Sequence, residues 1–200
     1  SPNRLTTEGL AAAARSLEAR LSGLPKPWVG VLIGGTSGSY RLDPPDAAAL
    51  GAALADFAAR HRVSLVITPS RRTGETNITA LSAALAGTPH FLWRGDGDNP
   101  LMGIYGCADA FVVTCDSVNM IGEAAFTGKP ILAWPLPGGR AKFRRFHDAM
   151  VAHGAMHWFD GTLPGADYAP LDATGMVADA VRAGLSRRGE TAPVDRPAAP

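Results

Sequence analysis

Trp28-Val29-Gly30-Val31-Leu32-Ile33 followed by Gly34-Gly35-Thr36-Ser37-Gly38-Ser39 is the stretch on which the fold turns. Six residues that are apolar or glycine, with no alternation, read as a strand buried on both faces, and the glycine- and hydroxyl-rich run marks the loop that leaves it. A strand buried on both faces needs helices above and below it, which points to a parallel sheet.

Working outward, Asp43-Pro44-Pro45-Asp46 is a helix start, with Asp43 as cap and Pro44 in the first turn. Leu50, Leu54 and Phe57 share one face of a helix predicted to end near His61. Val63 to Thr68 predicts a second buried strand, and helical spacing of Ile78, Leu81 and Leu85 a helix from Glu75 to Ala86. A strand over His90 to Trp93 and a loop over Arg94 to Pro100 follow, then a short helix from Leu101 to Cys107. Ala110 to Thr114 is a fourth strand, Ser117 to Thr127 a helix stopped by Gly128 and Pro130, and Ile131 to Trp134 a fifth strand. Further helices are predicted over Arg140 to His153 and Asp172 to Arg187. Upstream, Leu10, Ala14, Leu17 and Leu21 predict an amphipathic helix from Thr7, capped by Thr6 or Thr7.

Strand and helix alternate throughout, so the expected fold is an α/β, doubly wound parallel sheet of Rossmann-like type. The domain reading is a linking helix and connector over 1–27, an α/β domain over 28–188 and a disordered Pro/Ala-rich tail over 189–200.

Composition limits the function. Hydrophobic residues make up 46% and charged residues 18%, the profile of a folded globular domain. A formal charge of +1 gives no net field to draw in nucleic acid, so no nucleic-acid partner is expected and any anion needs a local site. Cys107 and Cys115 form no metal-binding spacing, and the five histidines show none either, so no metal is expected; both cysteines read as small buried apolar residues, compatible with a reducing compartment. No apolar run approaches the roughly 20 residues of a membrane span. Ser1 stands where a Met would, ahead of a helical pattern that starts at once, and suggests that upstream sequence has been removed. Gly-x-Ser-x-Gly does not occur, and no catalytic residue can be assigned.

In an open parallel sheet ligands bind beyond the carboxyl ends of the strands, so the post-strand loops carry the candidates. Gly34, Gly35, Thr36, Ser37 and Ser39 form a phosphate cradle or, alternatively, a plain tight turn. The pattern is neither GxGxxG nor GxxxxGK[ST], which disfavours a dinucleotide enzyme or a P-loop ATPase. Ser70, Arg71 and Arg72 follow the second strand at the same edge, where guanidinium forks suit phosphate unless they are simply solvated. Asp116 and Ser117 can cap the helix after the fourth strand. Asn119 and Glu123 share a face of that helix, where a carboxylate could take both hydroxyls of a ribose. Lys142, Arg144 and Arg145, next to Arg140, form a basic helix that holds an anion, meets an acidic partner or faces solvent.

These segments carry a resemblance. Val31-Leu32-Ile33-Gly34-Gly35, Ser70-Arg71-Arg72-Thr73, the run from Asp116-Ser117 to Pro130, and Ala141-Lys142-Phe143-Arg144-Arg145-Phe146-His147 resemble the C-terminal domain of glycosyltransferase-B enzymes. They are most similar to bacterial relatives of the plant mitochondrial-fission "elongated mitochondria" family, over roughly Trp28 to Gly154. The resemblance implies a nucleoside diphosphate sugar as ligand, Glu123 on its ribose, Asp116 and Ser117 near the diphosphate or sugar, and the glycine loop beside the donor phosphates. No other cofactor is required. It further implies an N-terminal domain of the same protein that supplies acceptor and base, so that this stretch alone would bind nucleotide without turnover. The readings kept beside it are a non-catalytic interaction module on the same fold and a sugar-nucleotide epimerase. The expected location is the cytoplasm, with a peripheral place at the inner membrane as the variant.

Overall fold

The computed structural model describes residues 3–165 and 168–187. The tail expected over 189–200 lies outside these residues, as does residue 188 at the end of the expected α/β domain. Helix α1 (Thr7–Arg20) precedes strand β1 (Trp28–Ile33), and α2 (Pro44–His61), β2 (Ser64–Pro69), α3 (Glu75–Ala84) and β3 (His90–Leu92) complete the first half. The second half runs α4 (Leu101–Cys107), β4 (Ala110–Thr114), α5 (Val118–Ala125), β5 (Ile131–Trp134), α6 (Ala141–Ala152), β6 (Met156–Trp158) and α7 (Ala173–Arg187).

The six strands form one sheet in the order β3-β2-β1-β4-β5-β6, every pairing parallel. This is the doubly wound Rossmann-like order, and its consequence for function is topological. The chain winds outward from β1 through β2 to β3, then returns to place β4 on the other side of β1. The loops leaving β1 and β4 therefore diverge, and the crevice between them is where a ligand can enter.

Burial explains the strand reading. β1, β2 and β4 are buried along their whole length, and Leu32, Leu65, Val66, Ile67 and Phe111 are inaccessible to solvent. The core divides into two clusters, one on each face of the sheet. Leu10, Leu17, Ile104, Tyr105, Ile121 and Ala124 mark the α1, α4 and α5 side. Leu50, Leu54, Phe57 and Leu81 mark the α2 and α3 side. The expected linking helix, α1, places Leu10, Ala14 and Leu17 in the same core as the sheet. It approaches α4 closely enough that a Cβ on Gly103 would sit 2.7 Å from the Cβ of Leu17, so two helices without large side chains between them pack backbone to backbone.

Caps behave as the residue types predict. Thr6 Oγ1 accepts from Gly9 N at 3.1 Å at the start of α1, and Asp46 returns a carboxylate to the Asp43 amide at 3.1 Å at the start of α2. Beyond shifts of one or two residues, such as α3 ending at Ala84 rather than Ala86 and β3 at Leu92 rather than Trp93, three differences have a visible cause. β2 starts at Ser64 rather than Val63, because Arg62 takes a left-handed conformation (φ 54°) and Val63 N still bonds the end of α2. α5 ends at Ala125, since Phe126, Thr127 and Gly128 close in i→i−3 turns. β6 was not predicted: its three residues pair with β5 at the sheet edge, too short and too exposed at His157 and Trp158 to show an apolar run.

Candidate functional site

The carboxyl ends of β1, β2 and β4 meet at one junction. Gly34 N donates to Thr114 Oγ1 at 2.7 Å and Gly35 N to Asp116 Oδ2 at 3.0 Å, so the loops flanking the crevice are tied together across it. The Asp116 side chain is wholly buried, and Arg72 Nη2 pairs with its Oδ2 at 2.9 Å while Arg72 Nη1 donates to the Gly35 carbonyl at 3.2 Å. Asp116 Oδ1 is buried and has no hydrogen-bond partner among the described residues. It lies against Gly34, where a Cβ would fall inside the carboxyl group, which is why glycine stands there. At Gly35 a Cβ would run into the Arg72 carbonyl.

In this geometry the glycine amides of the expected cradle are already engaged. The amides of Gly34 and Gly35 are spent on Thr114 and Asp116, so the two glycines serve close approach of β4 rather than an anion. Thr36 Oγ1 exchanges hydrogen bonds with the Leu42 backbone, and Ser37 Oγ accepts from Ser39 N and Tyr40 N. Ser70 Oγ donates to the Gly34 carbonyl at 2.8 Å, and Thr73 Oγ1 bonds the Ile33 and Gly34 carbonyls. The hydroxyl and glycine residues chosen from sequence thus mostly build the junction. Ser39 keeps its hydroxyl for a groove between this loop and the one after β5.

Arg71 is different. It is exposed, forms no ion pair among the described residues, and lines a cleft of about 350 Å³ with Thr68, Ser70, Trp93, Asn99 and Met120. The cleft lies beyond the ends of β2 and β3 and is closed by the starts of α4 and α5. Ser117 caps α5, its Oγ accepting from Met120 N at 3.4 Å, and exposed Asn119 stands in the first turn. Glu123 sits one turn along α5 from Met120, and Tyr105 one turn along α4 from Leu101. Tyr105 donates its hydroxyl to Glu123 Oε2 at 2.8 Å. Burial and the Glu123 charge push the Tyr105 phenol upward, so it stays a donor at any physiological pH. Glu123 is thereby fixed in orientation, with its second oxygen left uncommitted.

The cleft brings Ser70 and Arg71 together with Met120 of α5, whose first turn also carries Asn119 behind the Ser117 cap; Glu123 lies a turn further along α5, bonded to Tyr105, and Lys142, Arg144 and Arg145 stand on α6 outside that lining. Sequence reading missed Trp93, Tyr105, Tyr40 and His147. Trp93 could have been found, since it follows β3 as Ser70 follows β2. The others act through the fold: the Cys115 carbonyl accepts from His147 Nε2 at 2.9 Å, and Leu136 N donates to Cys115 Sγ at 3.3 Å. His147 is held below its ordinary pKa by burial, and Tyr40, against Cys115, is pushed up to about 12 mainly by burial. Among the described residues no group of His, Cys, Asp or Glu is placed to hold a metal, and no helix is long and apolar enough to cross a membrane.

Comparison with known proteins supplies the lineage. Residues 1–185 match the family described as mitochondrial fission ELM1. The mitochondrial fission protein ELM1 of Arabidopsis thaliana is 32% identical over 184 residues, covering 90% of this chain and 43% of that protein, so the chain spans less than half the length of this relative. Among solved structures, Os79 from O. sativa in complex with U2F and trichothecene superposes with a TM-score of 0.51 at 16% identity, over 92% of this chain and 40% of that one. The glycotransferase of kitacinnamycin gives a TM-score of 0.44 at 20% identity, over 83% and 38%. The likeness to Os79 concerns the fold alone, a Rossmann-like α/β sheet resembling one domain of the glycosyltransferase-B fold.

Proposed function

This chain belongs to the mitochondrial fission ELM1 family, and on that premise we propose that its sheet edge binds a nucleoside diphosphate sugar. The observation that carries the proposal is the cleft holding Arg71 and Trp93 beside the β1/β4 crevice. A nucleotide needs an aromatic or apolar surface for its base, acceptors for its ribose and cations for its phosphates. Trp93 offers the first. Glu123, oriented by Tyr105, offers a carboxylate oxygen that can accept from ribose hydroxyls. Arg71 supplies an unpaired guanidinium, and the first-turn amides of α5 complement a phosphate through the helix dipole. Arg72 contributes less than its neighbour, because its charge is committed to Asp116.

The chain's own residues bind and orient; the acceptor and the general base of a transfer reaction are proposed to come from elsewhere in a longer protein. Os79 was solved in complex with UDP, which makes uridine nucleotides the first probes for a relative in fold. Calorimetric titration with UDP, GDP, ADP and CMP and their sugars tests the reading. Binding of one base series, weakened by Arg71→Ala and by Glu123→Ala, is the expected result. Failure of every nucleotide to bind at millimolar concentration overturns it and leaves the fold as a scaffold for protein contacts, the alternative that family membership also accommodates.

A further inference from the structure

On the other side of the junction, the loop leaving β1 and the loop leaving β5 enclose an open groove of about 490 Å³ lined by Ser37, Gly38, Ser39, Tyr40, Arg41 and Gly138. It is rigid. Arg41 N donates to the Pro137 carbonyl at 3.0 Å, Gly139 N to the Ser39 carbonyl at 2.6 Å, and Tyr40 pairs with Gly138 as an isolated antiparallel bridge. A Cβ on Gly138 would strike the Ser39 carbonyl, and the Tyr40 ring packs edge-on against Phe143 of α6 at 5.2 Å. The start of α6 is thereby fixed against the groove, with Arg140 Nη2 donating to the Gly38 carbonyl at 3.0 Å.

The charge at this place is lopsided. Residues 137–147 contain Arg140, Lys142, Arg144 and Arg145 and no acidic residue, in a chain whose 19 cations and 18 acids otherwise nearly cancel. None of the four forms an ion pair among the described residues, whereas Arg41 is matched by Asp43 at 2.9 Å. Like charges crowded within six residues repel, with Asp148 the one acid a turn further along α6, and a bound anion relieves that repulsion. Arg140 caps α6 and reaches the groove's rim through its bond to the Gly38 carbonyl, and the Arg144 charge is felt at the Tyr40 hydroxyl. Lys142 Nζ sits over the Phe143 ring instead, 5.1 Å from its centroid.

The two clefts are neighbours in sequence as well as space. Thr36, on the groove, follows Gly35, and Arg71, in the nucleotide cleft, precedes Arg72; Gly35 and Arg72 are bonded to each other. A ligand with its nucleoside at Trp93 and its phosphates over the junction would direct its far end toward the groove. Resting on the nucleotide reading, we propose that this groove is a second anion subsite and that the preferred nucleotide sugar carries an acidic group on its sugar. Arg140 and Arg144 hold that group, and Ser39 supplies a hydroxyl donor.

The test is a matched pair differing only in that charge. UDP-glucuronate is titrated against UDP-glucose at low salt, with GDP-mannuronate against GDP-mannose if the guanine series is the one bound. The acidic member is expected to bind about tenfold tighter, the effect of a charge-assisted hydrogen bond. Arg140→Ala/Arg144→Ala should abolish that preference while leaving UDP affinity in place, and Lys142→Ala/Arg145→Ala should keep most of it. Equal affinity of the two sugars in the wild type overturns the subsite and leaves nucleotide binding standing. A preference that survives Arg140→Ala/Arg144→Ala places the acidic group elsewhere and overturns it too. Absence of binding by all nucleotides removes the nucleotide reading itself and the subsite with it.

Discussion

Both ends of the sheet carry a pocket of similar size, and they use their polar groups in opposite ways. At the amino ends of β4 and β5, a pocket of about 390 Å³ is lined by Leu10, Tyr105, Gly106, Phe126 and Lys129. Its ammonium is already employed: Lys129 Nζ donates to the Gly106 and Tyr105 carbonyls at 3.0 and 3.4 Å, closing the last turn of α4. Burial depresses its pKa, and Tyr168 covers its carbonyl at 2.6 Å. At the carboxyl ends, by contrast, Arg71 has no counter-charge and Asp116 buries an oxygen with no donor among the described residues. A pocket whose cation serves its own backbone is packing. The opposite edge holds groups that the fold orients and does not consume, and that difference, rather than cavity volume, is what makes it the candidate site.

The largest effect separating the two ends should come from the junction. Gly34→Ala forces a methyl into the Asp116 carboxyl group, and overpacking of this kind costs about 3 kcal/mol or more because the carboxylate cannot move without abandoning Gly35 N and Arg72. Urea unfolding reads this directly, and a midpoint unchanged from wild type would show that the carboxylate has room the structure does not provide.

Next in size is Arg72→Met, which leaves the Asp116 carboxylate buried without its partner. Breaking a buried pair costs about 3–5 kcal/mol, and the low end applies because Arg72 itself is partly exposed. Lys129→Met at the other end removes a half-buried ammonium that bonds only carbonyls, and about 1.5 kcal/mol is expected. Equal losses in the two variants would erase the distinction drawn between the ends.

Glu123→Ala bears on binding. It should lower nucleotide affinity by about 1–3 kcal/mol, the range for a charged hydrogen bond, and also leave the Tyr105 hydroxyl buried without an acceptor. Tyr105→Phe distinguishes the two consequences. It keeps the carboxylate but frees its orientation, so affinity should fall less than in Glu123→Ala. If Tyr105→Phe matches Glu123→Ala in affinity, Glu123 serves only to anchor α4 to α5.

How far the sequence revealed this follows from the range of the forces involved. β1, β4 and β5 were legible because strands buried on both faces write continuous apolar runs, and α2 because Asp43, Pro44 and Asp46 signal its start locally. β6 was not, since a three-residue edge strand is defined by its partner. In the candidate site, the strand-end rule pointed to an edge but not to how its residues are bonded. Nothing near Gly34 in sequence indicates that Asp116, over 80 positions away, takes the amide beside it, nor that Arg72 is matched while adjacent Arg71 is not. Residue type announces chemistry, and only packing decides whether that chemistry is left over for a ligand.

The smallest expected effect lies behind the junction, at His147. The Cys115 carbonyl can only accept, so Nε2 carries the hydrogen, and the ring is clamped between Phe146 and Trp158 at 5.7 and 5.2 Å. Burial lowers its folded-state pKa below the ordinary value of about 6.5. The unfolded chain then binds a proton at a pH where the folded chain does not, so stability is at its full value above about pH 6.5 and declines as pH falls toward the folded pKa. Because that decline acts on the residue preceding Asp116, it should loosen the carboxyl edge and not the amino edge. Hydrogen exchange at pH 7.5 and pH 5.5 checks this: amides of Gly35 and Leu136 should lose protection relative to Ala108, and His147→Asn, which does not titrate, should remove the difference. Uniform loss of protection at both ends would mean that the acid response is global and that His147 does not report on the junction.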